Sequence, residues 1–150
     1  MGGAFRECRI APIDLYPNID STPPANTLRT APSLLADCLL ITANVNSFKT
    51  VSTVKAFDKR LREKRVFAAG FQEARTKHVG YDSTDSYYLV SSAAARGNFG
   101  CQLWRSKLLP GCDNASKDSL SIIVQEPRLL PVVAQVSFAT LCFVVGHVPT

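Results

Sequence analysis

A mixed α/β fold of the α+β kind, opening on a βαβ unit and continuing as a mostly antiparallel sheet, is predicted by three features of the sequence. Two short apolar runs, Leu39-Leu40-Ile41-Thr42-Ala43 and Val66-Phe67-Ala68-Ala69-Gly70-Phe71, flank a segment with helical periodicity. Beyond the second run the pattern becomes that of short strands parted by turn residues, with no helical spacing. The two runs and the segment between them span about 35 residues, the length of a βαβ unit.

Taken in order, five of the nine prolines (Pro12, Pro17, Pro23, Pro24 and Pro32) precede Leu34, in a stretch rich in Asn, Thr, Ser and Asp. Residues 1–34 are therefore expected to form an irregular Pro-rich leader, with the domain occupying 35–150. In the helical segment Val51, Val54, Phe57 and Leu61 recur every three or four residues, while Lys55, Asp58, Lys59, Arg60, Arg62 and Glu63 take the other face. That is an amphipathic helix with a solvated cationic side. Strands joined by such a crossover run parallel, so Asn44 and Glu73 end neighbouring strands on the side where open α/β sheets place their ligands. Downstream, strands are expected at 87–92, 101–105, 119–125, 129–138 and 141–148, with a turn at Gly97-Asn98-Phe99-Gly100. Pro127 and Pro131 put the start of the 129–138 strand at an edge or in a bulge. Trp104 alternates with Leu103 and reads as core.

A formal charge of +5 and a pI near 9.1 favour an anionic partner, nucleic acid above all. The five cysteines, Cys8, Cys38, Cys101, Cys112 and Cys142, form no C-x-x-C pair, and neither His78 nor His147 lies at zinc-ligand spacing from them. They read as reduced thiols of an intracellular protein, cytoplasmic or nuclear. Gly2 begins a myristoylation-like start, but Arg6 stands where Ser or Thr is needed. No apolar run reaches the roughly 20 residues of a membrane span.

Singly, the polar residues at the strand ends have ordinary explanations. Asn44 and Asn46 suit strand-end turns, Glu73 suits a surface pair with Arg75, and His147 suits an edge strand. Jointly, a carboxylate and an amide at the ends of adjacent parallel strands offer the oxygen ligands that hard divalent cations take.

These residues resemble a known family. Asn44-Val45-Asn46-Ser47-Phe48-Lys49 looks like the N-V/I-N/D-G/S-L-R opening of the endonuclease/exonuclease/phosphatase superfamily, and Phe71-Gln72-Glu73-Ala74-Arg75 like its L-Q-E-T-K/R motif. Residues 88–94 with Arg96-Gly97-Asn98-Phe99-Gly100-Cys101-Gln102-Leu103-Trp104 resemble its S-x-A-x-x-G-x-x-G-V-x-L segment. Val144-Val145-Gly146-His147-Val148-Pro149 resembles its V-H-x-P element. The texture is nearest to apurinic-type nucleases and to endonuclease domains of retroelements that lack long terminal repeats.

The resemblance implies the N-terminal half of a four-layer α/β sandwich acting as a metal-dependent phosphodiesterase on nucleic acid, DNA before RNA. Glu73 and Asn44 would hold Mg²⁺ or Mn²⁺, and His147 would contact the scissile phosphate, completing a catalytic set of Asn44, Glu73 and His147. Arg75, Lys77 and Arg96, with His78 beside them, are the candidate phosphate contacts, and Asn46 a geometric support. The match is incomplete. The family's water-activating Asp, its partner Asn, a later Asp and the catalytic His lie beyond the H-x-P element and have no positions up to Thr150. Asp82, Asp85, Asp113, Asp118 and Glu126 fall in expected loops or between strands and match no motif. One carboxylate holds Mg²⁺ weakly, so the chain alone is expected to be inert, with exposed sheet faces or edges prone to self-association. A non-catalytic nucleic-acid-binding remnant, and a superfamily enzyme acting on lipid or RNA, are the alternative readings.

Overall fold

The computed structural model describes residues 38–92, 94–109, 116–137 and 139–147, and the backbone alone of 5–9. It is a mixed α/β structure in which strands predominate. Strand β1 (Phe5–Arg9) pairs antiparallel with β2 (Leu39–Asn44), and helix α1 (Val51–Glu63) carries the chain across to β3 (Val66–Gln72), which lies parallel to β2. β4 (Gly80–Ser83), β5 (Tyr87–Ser91) and β6 (Gln102–Ser106) complete a six-stranded sheet of order β1-β2-β3-β6-β5-β4. After a 3-10 turn at Lys117–Ser119, β7 (Leu120–Ile122), β8 (Leu129–Val136) and β9 (Ala139–Gly146) form a second, antiparallel sheet.

The two faces of the first sheet bury different partners, as period-two alternation requires. Ile41, Ala43, Val66, Ala69, Phe71, Leu89 and Trp104 point to one side and pack under Leu61, Val54 and Phe57 of α1. Ala68, Val90 and Leu103 point to the other and meet Leu120, Leu130, Val132, Ala134 and Val145 of the second sheet. The order is therefore helix, sheet, sheet. A bulge lets Phe67 join the inter-sheet core as well, because the β2–β3 register slips between Leu39↔Val66 and Leu40↔Ala68. The sheets come closest at Gly70, where an added Cβ would stand 3.1 Å from Val145 Cγ2.

The βαβ start lies where the periodicity places it, and Trp104 is fully buried, its Nε1 donating to Gln102 Oε1 at 2.9 Å. Other expectations are corrected. Within the stretch read as an irregular leader, residues 5–9 form a strand, because pairing with β2 supplies the order that their own periodicity does not show; residues 10–37 lie outside the described residues. The downstream strands do not continue a single antiparallel sheet. β5 and β6 complete the first sheet, together with β4, whose short exposed strand contains Asp82 and carries no apolar alternation. The expected 119–125 strand shrinks to Leu120–Ile122. Pro131 does sit where β8 has outrun the β7 ladder, so its missing N–H breaks no strand pair.

The helix faces are also drawn differently. Thr50 caps α1 by accepting from Thr53 N at 3.2 Å, as an N-cap threonine should. Val51, however, is 72% exposed, while Asp58 is 8% exposed. Asp58 turns inward because the β4–β5 turn surrounds it with donors. Its Oδ1 accepts from Thr84 Oγ1 and from Ser86 N at 3.2 Å, and its Oδ2 from Ser86 Oγ at 3.0 Å. Replacing Asp58 by Ala leaves those donors unpaired and should cost about 1–3 kcal/mol in urea denaturation, whereas Lys59→Ala on the solvated face should change stability by less than about 0.5 kcal/mol.

Candidate functional site

Three loops at the C-terminal ends of β2 and β3 build the site. Asn44 pairs with Gln72 across the parallel ladder, so the next residue on β3's side, Glu73, comes level with it. Asn44 Nδ2 donates to Glu73 Oε1 at 2.9 Å. The end of β9 supplies His147, whose Nε2 lies 3.3 Å from the same Oε1, and Arg75 Nη2 donates to Oε2 at 3.2 Å. One carboxylate thus gathers an amide, an imidazole and a guanidinium from three segments. The Asn44 hydrogen bond, with the positive charges beside it, holds the Glu73 carboxyl below its ordinary value against a smaller opposing effect of burial.

The backbone is strained to reach this arrangement. Asn46, Glu73, Arg75, Arg96 and Phe99 all have φ between 51° and 63°, a region that costs an L-residue with a Cβ roughly 1–2 kcal/mol. A lattice of backbone hydrogen bonds holds them there. Phe48 N donates to Ala74 O at 2.8 Å, Ala74 N to Gly100 O at 3.0 Å, Arg75 N to Phe99 O at 2.9 Å, Gly100 N to Pro127 O at 2.9 Å, and His147 N to Arg128 O at 2.9 Å. Gly100 belongs in that lattice because its φ is +88° and a Cβ would come 3.3 Å from Arg75 N. Strain concentrated in this way is characteristic of functional sites, where surrounding structure over-determines the local conformation.

Of the residues singled out in the sequence, Asn44, Glu73, His147 and Arg75 converge. Asn46 supports them through its backbone, its N donating to Asn44 Oδ1 at 3.3 Å. Lys77, His78 and Arg96 are exposed, and among the described residues no hydrogen bond or ion pair ties them to Glu73. Two neighbours were not legible in the sequence. The Phe99 ring packs 5.5 Å from the His147 ring, and the Arg128 guanidinium lies 4.0 Å over Phe99. An aromatic within a glycine-bounded turn, Gly97-Asn98-Phe99-Gly100, was the available signal, since a turn has no core of its own to bury the ring. His147 Nδ1 is buried and lacks a partner among the described residues, so Glu73 and the Phe99 ring are what orient the imidazole.

The donor types suit a hard divalent cation in part. The Glu73 carboxylate and Asn44 Oδ1 are the oxygens that would hold it, but both Glu73 oxygens already accept hydrogen bonds and Arg75 brings positive charge against one of them. Among the described residues no group of three or more His, Cys, Asp or Glu side chains gathers as a metal cage. Cys38 and Cys101 are buried cysteines outside any disulfide and Cys142 is an exposed one; burial pushes Cys101 up to about 11, which keeps it protonated near neutrality. No helix among the described residues is long and apolar enough to cross a membrane.

Compared with known proteins, the chain matches no protein-family model and no curated protein.

The depressed Glu73 value fixes a sign for pH dependence. A carboxyl whose folded value lies below its unfolded one adds stability above the unfolded value, and loses it as pH falls through the folded one. Thermal melts taken downward from neutrality should therefore show a drop beginning near the ordinary value of 4.5, and Glu73→Gln should remove that part of the acid sensitivity.

Proposed function

We propose that this chain is the N-terminal portion of a metal-dependent phosphodiesterase of the endonuclease/exonuclease/phosphatase superfamily, built to cleave nucleic-acid phosphodiester bonds when complete and inert by itself. The observation that carries the reading is the meeting of Asn44, Glu73 and His147, residues far apart in sequence, at the end of a parallel strand pair. The helix–sheet–sheet order is what one half of the superfamily's four-layer sandwich requires.

In this reading Glu73 and Asn44 hold Mg²⁺ or Mn²⁺, which when bound polarises a phosphoryl oxygen. The protein's own groups do the rest. Asn44 keeps Glu73 ionised and aimed, and Arg75 neutralises its outer oxygen and offers a guanidinium to a phosphate. His147 presents Nε2 at the same point, where it can donate to a phosphate oxygen. Nothing here activates water: Glu73 is the sole carboxylate at the site among the described residues, and its oxygens are occupied by donors. Positioning without a general base forgoes a typical 10²–10⁴-fold contribution.

That shortage favours a second reading, in which the chain binds nucleic acid without cutting it. The exposed cations of α1, Lys55, Lys59 and Arg62, and the net charge of +5 suit either.

Two measurements separate these readings. Mn²⁺ binding, followed by water-proton relaxation, should weaken about tenfold or more in Glu73→Gln, while retardation of a short DNA duplex should fall steeply with salt in both proteins and no product should form with Mg²⁺ or Mn²⁺. Equal Mn²⁺ binding by the two proteins would leave the non-catalytic reading; turnover by the isolated chain would overturn the claim that it is inert.

A further inference from the structure

Beside the Glu73 cluster the structure fixes a second guanidinium, that of Arg128. This residue sits in a tight turn closed by two hydrogen bonds, Leu129 N donating to Glu126 O at 3.1 Å and Glu126 N to Leu129 O at 3.0 Å. Pro127 before it presets the backbone of that turn. The Arg128 carbonyl accepts from His147 N at 2.9 Å, and Pro127 O accepts from Gly100 N at 2.9 Å. At its other end, the guanidinium lies 4.0 Å over the Phe99 ring, which itself packs 5.5 Å from the His147 ring. Main chain and side chain of Arg128 are thus both tied to segments that carry the site.

Phe99 is an unusual residue for its place. Its φ of 63° strains an L side chain, whereas Gly97 and Asn98 in the same turn are residue types that tolerate such a backbone. The ring's contacts with the imidazole and the guanidinium are what favour an aromatic there. A guanidinium resting on a ring is held by its face, and its N–H groups, which lie in its plane, stay open to an acceptor. Arg128 is exposed, and among the described residues no carboxylate pairs with it.

The other cations singled out near the rim are placed differently. Arg75 Nη2 already donates to Glu73 Oε2. Lys77 and Arg96 are exposed, and no contact among the described residues fixes their charged ends, so each would have to be ordered by a ligand. Arg128 is ordered beforehand. A planar fork on a fixed mount suits the two-oxygen edge of a phosphate. Only the Phe99 ring separates this fork from His147, a span that one sugar–phosphate repeat can bridge. A phospholipid headgroup presents a single phosphodiester, whereas a nucleic-acid strand presents another at every repeat.

We infer that Arg128, held on Phe99, receives the phosphate next to the one at Glu73 and His147 along a nucleic-acid strand, so that the site takes a chain of phosphodiesters in preference to a single one. Arg128 is a binding residue in this assignment, and Phe99 is the residue that positions it. The assignment rests on the reading of the rim as a phosphodiester-binding site and names its substrate as a strand.

The test is fluorescence anisotropy of a labelled DNA duplex over a series of KCl concentrations in EDTA. With metal removed, the result is independent of the Mn²⁺ comparison of Glu73→Gln: a metal reading that fails there leaves the Arg128 contact to stand or fall here. Arg128→Gln should weaken binding about tenfold at low salt and lower the slope of log K against log salt by about 0.9, the value of one phosphate contact. Arg128→Lys should keep the slope but bind more weakly than wild type, because an ammonium lacks the planar fork. Phe99→Leu should weaken binding and Phe99→Tyr restore it, and Arg128→Gln added to Phe99→Leu should cost less than Arg128→Gln alone. Lys117→Gln, which removes an exposed cation on the 3-10 turn, should change neither affinity nor slope. Thermal melts matching wild type show that each variant is folded. An unchanged slope in Arg128→Gln, an equal loss in Lys117→Gln, absence of DNA binding by the wild-type chain, or vesicles of phosphatidylcholine and phosphatidylserine whose binding depends on Arg128 as strongly as that of DNA would each overturn the assignment.

Discussion

Parallel pairing of β2 with β3 sets most of the structure. Two strands that run the same way cannot be joined by a tight turn, so the chain must cross over, and the crossover becomes α1. The helix then has to lie on one face of the sheet, which commits Ile41, Ala43, Phe71 and Trp104 to its underside and turns Ala68 and Leu103 toward the second sheet. The same pairing brings both strands to an end at one rim. Asn44 is held against Gln72, and Glu73 follows within hydrogen-bonding reach of its amide.

From that rim outward the loops are constrained less by their own preferences than by one another. Glu73 and Arg75 adopt left-handed backbone conformations that neither residue favours, and they do so because Ala74 N and Arg75 N must reach the carbonyls of Gly100 and Phe99. Gly100 admits the approach since it has no Cβ to strike Arg75 N. The second sheet enters the same lattice through Pro127 O, Arg128 O and His147 N. A site assembled from two sheets and held by mutual backbone bonds resists local adjustment, which is what holding several donors on one carboxylate demands.

Polar burial away from the rim is less evenly handled. Asp58 has donors enough for both oxygens, and Tyr87 places its hydroxyl on Val66 O at 2.9 Å, burial and the nearby Asp58 charge raising its ionisation well above the ordinary value. Arg105 is 1% exposed, bonds Ser119 Oγ at 2.7 Å, and has no carboxylate partner among the described residues. A guanidinium so placed is costly, and nothing in the structure explains it.

How much could be known beforehand follows from which interactions are local. The two apolar runs, the amphipathic spacing of α1 and the burial of Trp104 are written in near-neighbour pattern, and they were legible for that reason. The end of the parallel pair also followed, because a crossover of that length permits one handedness and one rim. The strand status of residues 5–9, the assignment of β4 to β6 and of β7 to β9 to different sheets, the inward turn of Asp58 and the stacking of Arg128 on Phe99 depend on partners tens of residues away. No local pattern encodes them. The sequence by itself determined that a carboxylate and an amide would share a rim. Only the tertiary structure decided that His147 would close on that carboxylate, since it took the second sheet, packed over Gly70, to carry His147 to within 3.3 Å.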